Sequence, residues 1–241
     1  TVPVGHLLRH ENVAKTVSIM KPPFPYDRFK HDLMVLPQHD RFNDAGQKTV
    51  RLRTALSLTS QEILAKEAEN VHHYIGDHDR PVIAALIGGD TKGYAFSLER
   101  ARKTVSALKR ISEEVNASLV VTTSRRTRRD IIEMVKKELD AFPRCCLLVI
   151  PTERNIENVV YGMIGAAETV CVTEDSISMI SESVQAGKRV IVLKMAKRRL
   201  PAKHRNFQQS LSREDLVRVA SHEDLSEVYF SPYTPQTGAI E

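Results

Sequence analysis

From about residue 81 onward, the chain alternates between two kinds of apolar pattern. Runs of strand length, rich in β-branched residues and without polar alternation, are PVIAALIGG (81–89), ASLVVTT (117–123), CCLLVIP (145–151), ETVCVT (168–173) and KRVIVLK (188–194). Between them lie stretches with apolar residues at helical spacing: SLERARKTVSALKRISEEV, RRDIIEMVKKELDAF, IENVVYGMIGAAE and SISMISESVQAG. FQQSLSREDLVRVA, after the last strand, is read as a further helix. Strands that are apolar on both faces and alternate with helices predict a parallel sheet covered on both sides. Right-handed crossovers then make residues 81–230 a doubly wound α/β domain, with 231–241 as a tail.

The first 58 residues hold two more strand candidates, AKTVSIM (14–20) and HDLMVLP (31–37). KPPFPYD separates them and can continue neither a helix nor a central strand. Two or three strands are too few for an independent sheet of this kind. Residues 1–58 are therefore read as the end of a larger N-terminal domain, incomplete in a chain that begins at Thr1 rather than Met. The helix-like SQEILAKEAENVHHYI (60–75) and polar GDHDR (76–80) make 59–80 a connecting helix and linker.

Composition narrows the function classes. A 41% hydrophobic and 27% charged chain of 241 residues is an ordinary globule. No apolar run approaches the roughly 18–20 residues of a membrane span, and no secretory signal pattern opens the chain. Cys145, Cys146 and Cys171 lie in apolar strand runs and read as reduced core thiols of a cytoplasmic protein. The nine histidines show no metal spacing, so neither a metal nor a cofactor is assigned. A net charge of +5 favours anionic partners weakly, with the basic residues concentrated in SRRTRR (124–129) and KMAKRRLPAKHR (194–205). Aromatics make up only 5%, with no Trp, which argues against a nucleic-acid module.

In an open parallel sheet, ligands bind beyond the carboxyl ends of the strands. Four unusual stretches fall at such ends. Gly88-Gly89-Asp90-Thr91-Lys92 either lets the backbone approach a phosphate that Lys92 neutralises, or is a flexible turn; it is neither a P-loop nor GxGxxG. Thr122-Thr123-Ser124-Arg125-Arg126 precedes a helix whose expected N-cap is Thr127, with Asp130 three residues on. The helix dipole opposes Arg125 and Arg126 there, by about 0.3–1 kcal/mol each, and an anion between them would remove the conflict. A solvated basic run is the equal alternative. In VTEDSISMISESVQAG, Asp175, Ser178 and Glu182 follow i, i+3, i+7 and share a face, beside Ser176 and Met179; Ile177, Ile180 and Val184 serve the core. That polar stripe starts at a helix N-terminus suited to a diphosphate, and Glu182 is placed to accept from ribose hydroxyls. A solvent-facing helix would also give the stripe. Finally, in Pro37-Gln38-His39-Asp40-Arg41, His39 is either an inert loop histidine or a general base with Asp40 beside it.

Taken together, VIAALIGGDTK, SLVVTTSRRT and TVCVTEDSISMISESVQAGKRVIVL resemble blocks of the mitochondrial-fission "elongated mitochondria" family. DLMVLPQHDR resembles that family's N-terminal block, with Pro37, His39 and Asp40 matching. The resemblance covers about residues 30–195. It implies a GT-B-like architecture of two Rossmann-like domains with a nucleotide-sugar cleft between them. It also implies a glycine turn (Gly88, Gly89) and a hydroxyl-rich helix start (Ser176, Ser178) holding the diphosphate, with Glu182 on the ribose. With neighbouring residues the nucleotide site would comprise Gly88, Gly89, Lys92, Thr123, Ser124, Arg125, Arg126, Asp175, Ser176, Ser178, Met179 and Glu182. Two functions follow. One is a metal-independent glycosyltransferase using a nucleoside-diphosphate sugar as donor, with His39 or Asp40 as base. Lys197-Arg198-Arg199 with Lys203 would face an acidic or lipid-linked acceptor, unless this is merely a solubilising loop. The other is a non-catalytic scaffold recruited to a membrane surface, which leaves a peripheral membrane contact open. NAD-dependent epimerase chemistry is disfavoured, because no GxGxxG follows an early strand.

Overall fold

The computed structural model describes residues 2–26, 30–40, 48–76, 79–91, 94–195 and 200–233. The chain forms two compact units, Thr1–Leu56 and Ser57–Glu241. In the first unit, helix α1 (Val2–Asn12) leads to strands β1 (Val17–Ile19), β2 (Leu33–Pro37) and β3 (Thr49–Leu52). They form a parallel sheet in the order β1-β2-β3, in which Ile19 pairs with Val35 and Leu36 with Arg51. Asp32 fastens its start: the carboxylate accepts from the Thr16 amide at 2.7 Å and from Arg9 at 3.2 Å. Strand β3 and helix α1 were not expected from sequence. TVRL is short and half polar, and α1 buries none of its residues, so neither carries a strong apolar pattern.

The second unit opens with α2 (Gln61–Ile75), whose N-cap Ser60 accepts from the Ile63 amide. Leu64, Ala68, Val71 and Ile75 form its buried stripe. Then follow β4 (Val82–Ile87), α3 (Leu98–Glu114), β5 (Ser118–Thr123), α4 (Arg129–Leu139), β6 (Cys145–Val149), α5 (Val159–Ala166), β7 (Thr169–Thr173), α6 (Ile177–Gln185) and β8 (Arg189–Leu193). The unit closes with α7 (Ala202–Arg213), β9 (Arg218–Ala220) and α8 (Leu225–Phe230). All six strands are parallel, in the order β6-β5-β4-β7-β8-β9.

Residues alternate along each strand between two apolar cores, as a sheet covered on both faces requires. Val82, Ala84 and Leu86 pack with α2, α5, α6 and α7, while Ile83, Ala85 and Ile87 pack with α3, α4 and α8. Cys171 lies in the second core, and burial pushes its thiol up to about 12. The helix expected over 207–220 is divided. Asp215 takes a left-handed φ of 58° that ends α7, and the apolar run from Leu216 onward leads into β9. Lys203 accordingly lies on α7 rather than in a loop, while Lys197, Arg198 and Arg199 fall outside the described residues.

Strand order reverses direction between β4 and β7: from β4 the chain builds outward to β5 and β6, then returns to add β7, β8 and β9 on the other side. The loops after β4 and β7 leave adjacent strands at this switch point, and the carboxyl edge there is where such folds take ligands.

Candidate functional site

Gly88-Gly89 leaves β4, and Glu174-Asp175-Ser176 leaves the adjacent strand β7. The two loops are joined by hydrogen bonds. Gly88 N–H donates to Thr173 Oγ1 at 2.7 Å, and Gly89 N–H donates to Asp175 Oδ2 at 3.0 Å. Thr173 Oγ1 donates in turn to Asp175 Oδ1 at 2.7 Å. From the third loop, after β5, Arg126 Nη2 meets Asp175 Oδ2 at 3.1 Å. The Asp175 side chain is fully buried, whereas that of Arg126 is 47% exposed. Burial pushes the Asp175 pKa up, opposed by the Thr173 hydroxyl, the Gly89 amide and the Arg126 charge.

This geometry changes what several of these residues do. Asp175 precedes α6, is buried and binds three loops together, so it does not share an accessible face with Ser178 and Glu182. The Gly88 and Gly89 amides are occupied by protein acceptors. A Cβ on Gly88 would stand 2.3 Å from both Asp175 carboxylate oxygens, and one on Gly89 would stand 2.2 Å from the Arg126 carbonyl carbon. The two glycines thus admit the neighbouring loops.

Thr127 is not the N-cap of α4; Arg128 holds that position without a side-chain cap. Thr127 Oγ1 instead accepts from Ser124 N–H at 2.9 Å and donates to the Gly88 carbonyl at 2.5 Å. Ser124 Oγ accepts from the Arg126 amide at 3.1 Å, which shapes the turn that presents Arg125 and Arg126 to solvent. Arg128 Nη1 ties this turn to Asp90 at 3.3 Å. Thr123 is buried in register beside Ile87, and its hydroxyl makes no hydrogen bond among the described residues. Lys92 falls outside the described residues.

On α6, Ser176 is the N-cap, its hydroxyl accepting from the Met179 amide at 3.4 Å. Among the described residues, the Ile177 and Ser178 amides have no acceptor, as expected of a first helical turn. Ser178 is exposed and Met179 half-buried, while Ile180 and Val184 enter the core. Glu182 is half-buried one turn further on, and burial alone pushes its carboxyl pKa up; no cation or hydrogen-bond donor among the described residues offsets this.

Sequence reasoning missed the polar frame around this turn. Glu174 is buried, with Oε1 accepting from the Met195 amide at 2.7 Å and the Tyr94 hydroxyl at 3.1 Å. Gln208 on α7 donates to the Glu174 carbonyl at 2.8 Å, and His204, one turn earlier, faces the same segment. Only the hydroxyl-and-acid cluster TEDS hinted at this in the sequence.

His39 and Asp40 belong to the first unit. Both are buried at the end of β2, His39 Nε2 lying 3.9 Å from Asp40 Oδ1, beyond hydrogen-bond length. The Asp40 carbonyl accepts from Arg51 at 2.8 Å. Among the described residues, no cluster of His, Cys, Asp and Glu suits a metal ion, and no helix is long and apolar enough to cross a membrane.

The chain is similar to a putative UDP-N-acetylglucosamine 2-epimerase from Listeria monocytogenes, with a TM-score of 0.51 at 10% identity, over 98% of this chain and 74% of that one. At that identity the likeness is one of fold, and the fold is GT-B-like α/β. In sequence it is 25% identical over 242 residues to an uncharacterized protein of Rickettsia prowazekii, covering 88% of this chain and 66% of the relative. It is 26% identical over 247 residues to the mitochondrial fission protein ELM1 of Arabidopsis thaliana, covering 93% of this chain and 56% of that protein. The family described as Mitochondrial fission ELM1 matches residues 1–235, and the chain belongs to that family.

Proposed function

We propose that the carboxyl edge of the six-stranded sheet, at the switch point between β4 and β7, binds a nucleoside-diphosphate sugar. The observation that carries this reading is Glu182: a half-buried carboxylate with no partner among the described residues, one turn beyond a helix start whose first two amides are also free. Burying a charged carboxylate without a donor is costly, and ribose hydroxyls would supply donors. The Ile177 and Ser178 amides and the α6 dipole would receive the diphosphate. Arg125, exposed and without a partner among the described residues, and the open side of Arg126 would neutralise it. The same cations would stabilise a departing diphosphate, as metal-independent glycosyl transfer requires.

The test is thermal stabilisation of the protein by UDP-N-acetylglucosamine, GDP-mannose and ADP-glucose. UDP-N-acetylglucosamine is included because the name of the Listeria fold neighbour contains it. At least one should raise Tm, and Glu182→Ala should abolish the rise while remaining folded. No shift with any of the three would sink the donor-site reading.

Transfer is a separate question. If His39 or Asp40 serves as base, His39→Ala or Asp40→Ala leaves nucleotide-sugar affinity unchanged and removes release of the nucleoside diphosphate. The ELM1 relative from Arabidopsis, named for mitochondrial fission, favours a second reading: a scaffold that binds the nucleotide without transferring sugar. Binding with no turnover towards any acceptor, together with salt-sensitive attachment to anionic vesicles, is the outcome it expects.

A further inference from the structure

Because all six strands run parallel, each helix that follows one of them begins at the carboxyl edge of the sheet. The loop after β6 and the start of α5 therefore lie at the same edge as the start of α6. Half-buried apolar side chains from both places pack against one core there: Ile156, Val160 and Tyr161 from the loop and α5, Ile177 and Met179 from α6. Tyr161 is the aromatic member of this group. Its neighbours on α5, Met163 and Ile164, are fully buried and fill the core, whereas the tyrosine ring keeps part of its surface in water. Burial and then the charge of Glu182 raise its phenol pKa, so the ring lies within electrostatic reach of that carboxylate. Its hydroxyl makes no hydrogen bond among the described residues and leaves Glu182 without a donor.

We propose that Tyr161 is the nucleobase platform of this site, its ring stacking on the base of a sugar nucleotide. The proposal rests on the donor-site reading above and adds the base to it. In a nucleotide, base and diphosphate hang from opposite ends of the ribose. A diphosphate at the first amides of α6, with ribose hydroxyls at Glu182, therefore leaves the base beside that carboxylate. Tyr161 is the aromatic side chain that the Glu182 charge reaches, and it belongs to the same face of the sheet.

The platform is rigid. Gly162 and Gly165 press α5 onto the backbone of α2, where an added Cβ would meet the Glu67 and Leu64 carbonyls. A ring carried by a fixed helix loses little freedom when a base settles on it. Stacking also removes water from the apolar ring face, which the half-buried tyrosine does not achieve alone. Every base has such a face, so uracil, guanine and adenine are all accepted.

Isothermal titration calorimetry with UDP-N-acetylglucosamine, GDP-mannose and ADP-glucose tests this. Tyr161→Ala should raise the Kd of each probe that binds by about five- to 150-fold, as the loss of one base–aromatic stack does, and Tyr161→Phe by less than about twofold. A second readout follows the ring itself. The chain has no Trp, so its emission comes from tyrosine, and a base stacked on Tyr161 quenches that residue's share. Tyr161→Phe should therefore reduce the ligand-induced quenching while affinity is kept. A merely structural role would leave the quenching equal in the two proteins, and this comparison stands even if Tyr161→Ala folds poorly. Unchanged affinity in Tyr161→Ala, an equal loss in Tyr161→Phe, or quenching that Tyr161→Phe does not reduce overturns the assignment. Binding that Glu182→Ala abolishes but Tyr161→Ala leaves intact keeps the donor site and sinks the base platform alone. Failure of all three probes to bind the wild-type protein overturns both.

Discussion

Gly88, Thr173, Asp175 and Arg126 come from three separate loops, and their energetics are mutual. A Cβ at Gly88 would occupy the place of the Asp175 carboxylate, whose displacement breaks its bonds to Gly89 and Arg126. Gly88→Ala should therefore cost about 1–3 kcal/mol, the usual range for overpacking, measured by urea denaturation. Combined with Asp175→Ala, its cost should be well below the sum of the two, because both changes strike one contact. Glu182 predicts the opposite behaviour. Its pKa is raised from 4.5 by burial, so the folded state favours the neutral acid. That stability is present below about pH 4.5 and is lost as pH rises through the folded pKa. Glu182→Gln should thus raise Tm by about 1–3 °C at pH 7.5 and by nothing near pH 4, while weakening sugar-nucleotide binding. The sequence singled out Glu182 and the Arg125-Arg126 pair. It assigned Gly88, Gly89 and Asp175 directly to the ligand, because a residue's partner eighty positions away leaves no local mark.

At the scale of elements, the close pair is α2 and α5. Gly162 and Gly165 lie on the α5 face that meets α2, where a Cβ on Gly165 would stand 2.3 Å from the Leu64 carbonyl oxygen and one on Gly162 2.6 Å from that of Glu67. Backbone carbonyls cannot rotate aside as side chains can. Gly165→Ala should force the helices apart and lower stability by about 1–3 kcal/mol, even though alanine is the better helix former. A rise in stability would mean that helix propensity outweighs the packing. The strands β4 to β8 and most helices of this unit were legible from period and composition, since each buries a continuous apolar face. The α7–β9 boundary was not. LSREDLVRVA suits either period, and the left-handed Asp215 that separates the two elements is not marked by a glycine.

For the molecule as a whole, binding at one site should appear as global stabilisation. A ligand at a hundred times its Kd adds about 2.7 kcal/mol. For a chain of this size each kcal/mol moves Tm by about 2–4 °C, so a shift of roughly 5–11 °C is the expected ceiling for a saturating nucleotide sugar. A much larger shift would point to ligand bound at more than one place. The sequence alone determined the α/β class and the parallel six-stranded sheet's central strands. Hydrophobic period is a local property, and a strand apolar on both faces has few other folds open to it. It also placed the candidate ligand residues at strand ends. Only the tertiary structure decided which of those residues remain available. The reversal of strand order between β4 and β7 brings their loops together, and that contact commits the Gly89 amide to Asp175 and the Gly88 amide to Thr173. Among the described residues, Glu182 and the first two amides of α6 are left without partners. Hydrogen-bond satisfaction is a property of residues distant in sequence, and the fold alone brings them within reach.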